Sequence, residues 1–158
     1  MKQLLVALTL TLLVSVTHAD TVAVGGAQLS LPDDGWSMKT ESGLVLLAPD
    51  RGGGIIEVYD FSKVPAADSA ALVKLLGGRK ETTEAKITTI NNHTQNGLSG
   101  IAFRGTAKIR NQPIVFSAVA LTVGARAVLA ISFVKADAAA AFGSEVARIL
   151  ASLRARNP

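Results

Sequence analysis

The stretch LSGIAFRGTAKIRNQPIVFSAVALTVGARAVLAISFV, residues Leu98 to Val134, decides the fold. Three apolar-rich runs, Leu98–Arg110, Pro113–Val123 and Arg126–Val134, are separated by the pairs Asn111-Gln112 and Gly124-Ala125. Asn tolerates positive φ, and Gly as first central residue suits a type II′ turn, so the runs read as an antiparallel meander. Such turns fix the register, and the register fixes the faces. One face gathers Ile101, Phe103, Ile109, Ile114, Phe116, Leu129, Ile131 and Phe133. The other gathers Val115, Val119, Leu121, Val123, Val128 and Val134, with Ser117 opposite Ser132. Strands apolar on both faces are covered on both faces. The first run is the exception, because Arg104, Thr106, Lys108 and Arg110 alternate onto one side.

Outward from the meander, the chain supplies the covers. Asp137 is expected to cap a closing helix on which Phe142, Val146, Ile149, Leu150 and Leu153 share one side, with Arg148, Arg154 and Arg156 toward its C-terminal end. The alanines of KADAAAAF permit close helix packing as readily as a cavity. Upstream, a helix is expected after Pro65, with Asp68 at its start, Leu72, Leu75 and Leu76 as its apolar stripe and Gly77-Gly78 as its end. Between it and the meander, Lys86–Ile90 reads as a short strand and Asn91–Gly97 as a polar loop. Earlier still, strands are expected at Ala27–Leu31, Trp36–Thr40, Leu44–Leu47 and Ile55–Phe61. The turn Pro32-Asp33-Asp34-Gly35 sits between the first two, and Arg51-Gly52-Gly53-Gly54 between the last two. A phosphate cradle needs a helix N-terminus behind the glycines, and here a β-branched run follows, so the glycine loop reads as a hairpin hinge. The fold class is α+β: an antiparallel sheet with a C-terminal meander, flanked by a mid-chain helix and a long C-terminal helix as an α/β/α sandwich.

The first residues read as an address. Lys2, an apolar run from Leu4 to Val16, and Thr17 and Ala19 at the −3 and −1 places describe a secretory signal peptide cut between Ala19 and Asp20. The apolar run falls short of the about 20 residues a membrane-crossing helix needs, so no stable membrane insertion is expected after cleavage. The expected location is the periplasm or the exterior. Removing residues 1–19 from 158 leaves 139, enough for one domain (20–158) to bury a core. The core has no disulfide to help it, because the chain contains no Cys although export leads to an oxidising compartment. Loss of Lys2 takes the formal charge from +4 to +3, and no dense basic run or stacking aromatic suggests nucleic acid.

Together, LPDDGW leading into a strand, the mid-chain helix, the meander FRGTAKIRNQPIVFSAVALTVGARAVLAISF and the closing ARILASLR resemble the PsbP/DcrB-like α/β/α sandwich superfamily over nearly all of the mature chain. The resemblance lies in pattern and order. It implies the fold, and it implies accessory, adaptor or chaperone-like work, as in many members; no shared catalytic set comes with it.

The chemistry census is sparse. His93 is the one histidine after the expected cut, in INNHTQNG, and reads as an exposed loop residue without a nucleophile frame such as G-x-S-x-G. One His and no Cys do not make a zinc site, and Asp33-Asp34 reads as turn chemistry, so neither metal nor cofactor is expected. Asn92-His93-Thr94 matches a glycosylation sequon by spacing alone. Trp36 reads as a core anchor. Arg104, Lys108 and Arg110 remain as candidate binding residues: edge-strand protection accounts for their alternation, and a site for an acidic protein, lipid headgroup or envelope polymer is the functional reading. Three functions follow in order: a non-enzymatic accessory protein of the bacterial envelope with a protein or anionic envelope component as partner, a small-molecule or lipid carrier with a pocket between sheet and helix, and a small metal-independent hydrolase.

Overall fold

A computed structural model describes residues 20–32, 34–41, 43–79 and 81–157. The expected signal peptide, Asp33 of the expected Asp33-Asp34 turn, Ser42, Lys80 and Pro158 lie outside the described residues. The chain runs β1 (Thr21–Val24), β2 (Ala27–Ser30), β3 (Trp36–Glu41), β4 (Leu44–Pro49), β5 (Gly54–Phe61), α1 (Ser69–Gly77), β6 (Thr82–Gln95), β7 (Leu98–Ile109), β8 (Gln112–Val123), β9 (Arg126–Lys135), a 3-10 turn (Ala136–Ala138), α2 (Ala139–Ala151) and β10 (Arg154–Ala155). Seven strands form one antiparallel sheet in the order β3-β4-β5-β9-β8-β7-β6, and β1-β2-β10 form a second, small one.

The α+β sandwich read from the sequence is present, and the two faces of the meander divide as expected. Phe103, Ile114, Phe116, Leu129, Ile131 and Phe133 pack with Leu72 and Leu76 of α1. Val119, Leu121, Val128 and Val134 pack on the opposite face with α2 and with Val22, Val24, Ala27 and Leu29 of the small sheet. Ser117 faces Ser132 across β8 and β9, and Val123 pairs with Arg126 around the turn at Gly124, whose φ is 60°.

Five expectations are corrected. The first meander turn is Arg110-Asn111, not Asn111-Gln112, because Ile109 pairs with Gln112. Both turn residues take positive φ, 49° and 61°, as a type I′ turn requires. The shift moves the register by two residues, and a side-chain period of two leaves every face unchanged. The first meander strand, β7, is not the sheet edge, since β6 lies outside it. That strand runs 14 residues from Thr82 to Gln95 where a short strand and loop were expected. Its turn is Asn96-Gly97, with φ of 49° and 76°, and a bulge accompanies Glu84 at φ 52°. Finally, Asp137 does not cap α2: it lies in the 3-10 turn, and Ala138 precedes the helix without a side-chain cap. The helix also ends before Arg154, which belongs to β10, and Arg156.

Asp68 does cap α1, accepting from the backbone N–H of Ala71 at 2.9 Å. Beyond the far end of that helix, Arg79 reaches back to both carboxylate oxygens of Glu57, a residue only 3% exposed on β5. The Tyr59 hydroxyl donates to Glu57 at 2.5 Å, and the Arg79 guanidinium lies 4.3 Å from the centre of the Phe133 ring. Burial pushes the Tyr59 phenol up and the Arg79 guanidinium down from their ordinary values. The cluster ties α1 to the centre of the sheet. Arg79→Met should cost about 3 kcal/mol in urea unfolding because Glu57 stays buried without its cation, and adding Glu57→Leu should recover most of that loss.

Candidate functional site

Along α2 the large residues Phe142, Val146, Ile149 and Leu150 are buried. A second row of the helix, Ala139, Gly143, Ala147 and Ala151, recurs at intervals of four and so shares one side. These side chains are too short to fill the space above the sheet, where Ala102, Ser117 and Ser132 are small as well. A cleft of about 380 Å³ results between α2 and strands β6 to β9. Of the alanines in KADAAAAF, Ala139 borders the cleft while Ala138 packs close beside Gly53, so the stretch contributes to both readings.

Val115, Val119 and Val134 line the cleft on the sheet side, and Val146 and Leu150 line it on the helix side. The polar lining comes from four different strands: His93 and Gln95 of β6, Arg104 of β7, Ser117 of β8 and Ser132 of β9. Gln95 closes the end near the helix C-terminus, its amide donating to the carbonyls of Leu150 and Leu153 at 3.0 Å each. Asn96 donates to the carbonyls of Ala151 and Leu153 at 3.0 and 2.9 Å, so the β6–β7 turn caps the last turn of α2. His93 is therefore half-buried on a strand, not exposed on a loop, and its Nε2 lies 2.8 Å from Gln95 Oε1. The Ser132 hydroxyl donates to the Ser117 carbonyl at 3.1 Å. Among the described residues no carboxylate lines the cleft, so none there orients the histidine and serines as a nucleophilic relay.

The three basic residues named from the sequence part company. Lys108 pairs with Glu84 at 2.8 Å, and Arg110 pairs with Glu81 at 2.7 Å; the bond to Glu81 raises the Arg110 guanidinium further above its ordinary value. Arg104 is exposed at the cleft lining and makes no ion pair among the described residues. Ser117, Ser132 and Gln95 were not singled out as site residues from the sequence. The Asn96-Gly97 pair was the available signal, since a type I′ turn there carries a strand back through Gln95 and His93.

The glycine loop packs against the helix. Arg51 stacks 4.2 Å from the centre of the Phe142 ring and pairs with Glu145, whose Oε1 accepts from Trp36 Nε1 at 2.6 Å. The Trp36 hydrogen bond, then Arg51, hold the Glu145 carboxyl below its ordinary range. Gly53, at φ 92°, lies so close that a Cβ would come within 2.6 Å of the Phe142 ring.

Neither a scan against protein-family models nor a search of curated proteins finds a match. Solved structures do match. CyanoP, the cyanobacterial PsbP of Synechocystis sp. PCC 6803, is similar at TM-score 0.61 and 11% identity, over 90% of this chain and 95% of that one. PA94 of Pseudomonas aeruginosa is similar at TM-score 0.54 and 12% identity, over 89% and 99% of the two chains. The Ran-binding protein Mog1p of Saccharomyces cerevisiae is similar at TM-score 0.55 and 12% identity, over 87% and 95%. The chain thus has a PsbP-like fold, as the resemblance in its sequence implied.

Replacing the residue that closes the cleft offers a direct check on its construction. Gln95→Ala should lower stability by about 1–2 kcal/mol, since carbonyls at the end of α2 lose a donor. Amide hydrogen exchange should accelerate in the last turn of α2 before it does in β8 or β9.

Proposed function

We propose that this chain is an exported, non-catalytic accessory protein of the bacterial envelope that works by binding, and that the cleft beneath α2 is its binding site. The observation that carries the proposal is the cleft itself. At about 380 Å³ it falls in the range of small-molecule sites, and its apolar walls converge with a few polar groups, as such sites require. The Ser132 hydroxyl and His93 point the same way, because they are engaged with a carbonyl and an amide and no acid among the described residues orients them. The fold neighbours add a weaker support: one of them is a Ran-binding protein, so this scaffold is used elsewhere for recognition. The signal-like first 19 residues support export. No helix among the described residues is long and apolar enough to cross a membrane.

A protein-adaptor reading is favoured by one separate feature. Strand β3 is an edge of the large sheet, every residue from Ser37 to Glu41 is exposed, and Met38 is 58% exposed. Such an edge is open to strand addition by a partner.

Native mass spectrometry of the protein recovered from its own cell envelope tests the proposal. The expected species begins at Asp20 and carries a small non-covalent adduct that organic extraction removes. A chain that retains Met1, or a bare chain free of adduct, contradicts the reading. A complex with a second polypeptide and no adduct would favour the adaptor in its place.

A further inference from the structure

Resting on the cleft as the binding site, we infer that its ligand is an amphipathic anion of about a dozen non-hydrogen atoms in all, an apolar body ending in a carboxylate held by Arg104. The size follows from about 380 Å³ of space at roughly 30 Å³ for each water-sized atom group. The polarity follows from the walls, where Val115, Val119, Val146 and Leu150 offer nothing to a polar body. The charge follows from the unequal fates of the basic residues on β7 and its turn. Glu84 and Glu81 neutralise Lys108 and Arg110 across the β6–β7 pair. Arg104 faces Thr89 on β6 and Ser117 on β8, so neither cross-strand neighbour is an acid.

A guanidinium offers paired N–H donors in a plane, which matches a carboxylate in two parallel bonds. Ser117, directly opposite Arg104, adds a hydroxyl to the same end of the cleft, and His93 lines the cleft on the adjoining strand. At the other side the small row of α2 leaves room for an alkyl or aryl body. An uncharged amphiphile keeps the apolar contacts and loses the head; a cationic one meets Arg104 with like charge and should bind more weakly still. Because Arg104 is exposed, its contribution is that of a screened pair, modest in size and sensitive to salt.

The test uses the mature chain, extracted with organic solvent and refolded, with decanoate, decanol and decylamine as probes in calorimetric titrations. Decanoate should bind about tenfold more tightly than decanol at low salt, and decylamine should bind more weakly than decanol. Arg104→Gln should weaken decanoate about tenfold, leave decanol unchanged, and remove the loss of decanoate affinity between low and high salt. Lys108→Gln, which removes a cation already paired with Glu84, should leave all three probes as they were. Decanol matching decanoate, decanoate failing to bind, or an Arg104→Gln variant with undiminished decanoate affinity would each overturn the inference. An uncharged adduct on the native protein would also overturn it, while leaving the cleft as a binding site intact; a bare native protein sinks the site itself.

Discussion

The central constraint is a pair of strands, β8 and β9, that carry apolar side chains on both faces. Phe116, Ile131 and Phe133 on one face and Val119, Leu121 and Val128 on the other all lie within the core. Each face has to be covered, and each fully buried side chain of this kind contributes about 1.5–3 kcal/mol. Everything else is arranged around that demand. The nine-residue α1 covers one face and is anchored by Arg79 on Glu57. The opposite face is covered by α2 together with the small sheet β1-β2-β10, whose Leu29 is completely buried. Thirteen residues of helix do not cover the opposite face alone, and the side of α2 bearing Ala139, Gly143 and Ala147 leaves the cleft. The cleft is a by-product of how the cover is cut.

Electrostatics divides the surface in a way that simple charge counting misses. The alternation of Arg104, Lys108 and Arg110 along β7 and its turn suggests one basic patch. The partner strand and the residue just before it break it up, because Glu84 and Glu81 lie beside two of the three cations and leave Arg104 alone of the three at the cleft. Arg51 shows the opposite case. The glycines beside it read as a hairpin hinge, and its charge is used against Glu145 and the Phe142 ring to seat that hairpin on α2. In both places the deciding acid sits far along the chain.

This distance explains what was legible in the sequence and what was not. The faces of the meander were legible because parity survives a two-residue slip, even though the Arg110-Asn111 turn was placed one residue too late. Helix α1 was legible because its cap and its leucine stripe are local. Strand β6 was harder: as an edge strand it keeps few buried residues, so INNHTQ shows no apolar alternation and reads as a loop. The four-residue strands β1 and β2 and the two-residue β10 carry too little pattern to pair by inspection. The cleft was foreseen only as one of two possibilities for the alanine-rich start of α2. Its polar lining comes from four strands, and no single stretch of sequence contains it. Arg104 alone among those residues was named beforehand as a binding residue, for a charge pattern that the folded chain largely neutralises.

The central claim is that the side of α2 bearing small residues borders a usable binding site. Gly143 tests it most directly, because it lines the cleft and a Cβ added there meets nothing within 4 Å. Replacing a helical glycine with leucine improves helix propensity by roughly 0.8 kcal/mol. The account therefore predicts that Gly143→Leu melts at the same temperature as the parent or higher, and that decanoate no longer raises its melting temperature. A Gly143→Leu protein that folds well and still responds to decanoate as the parent does would contradict it.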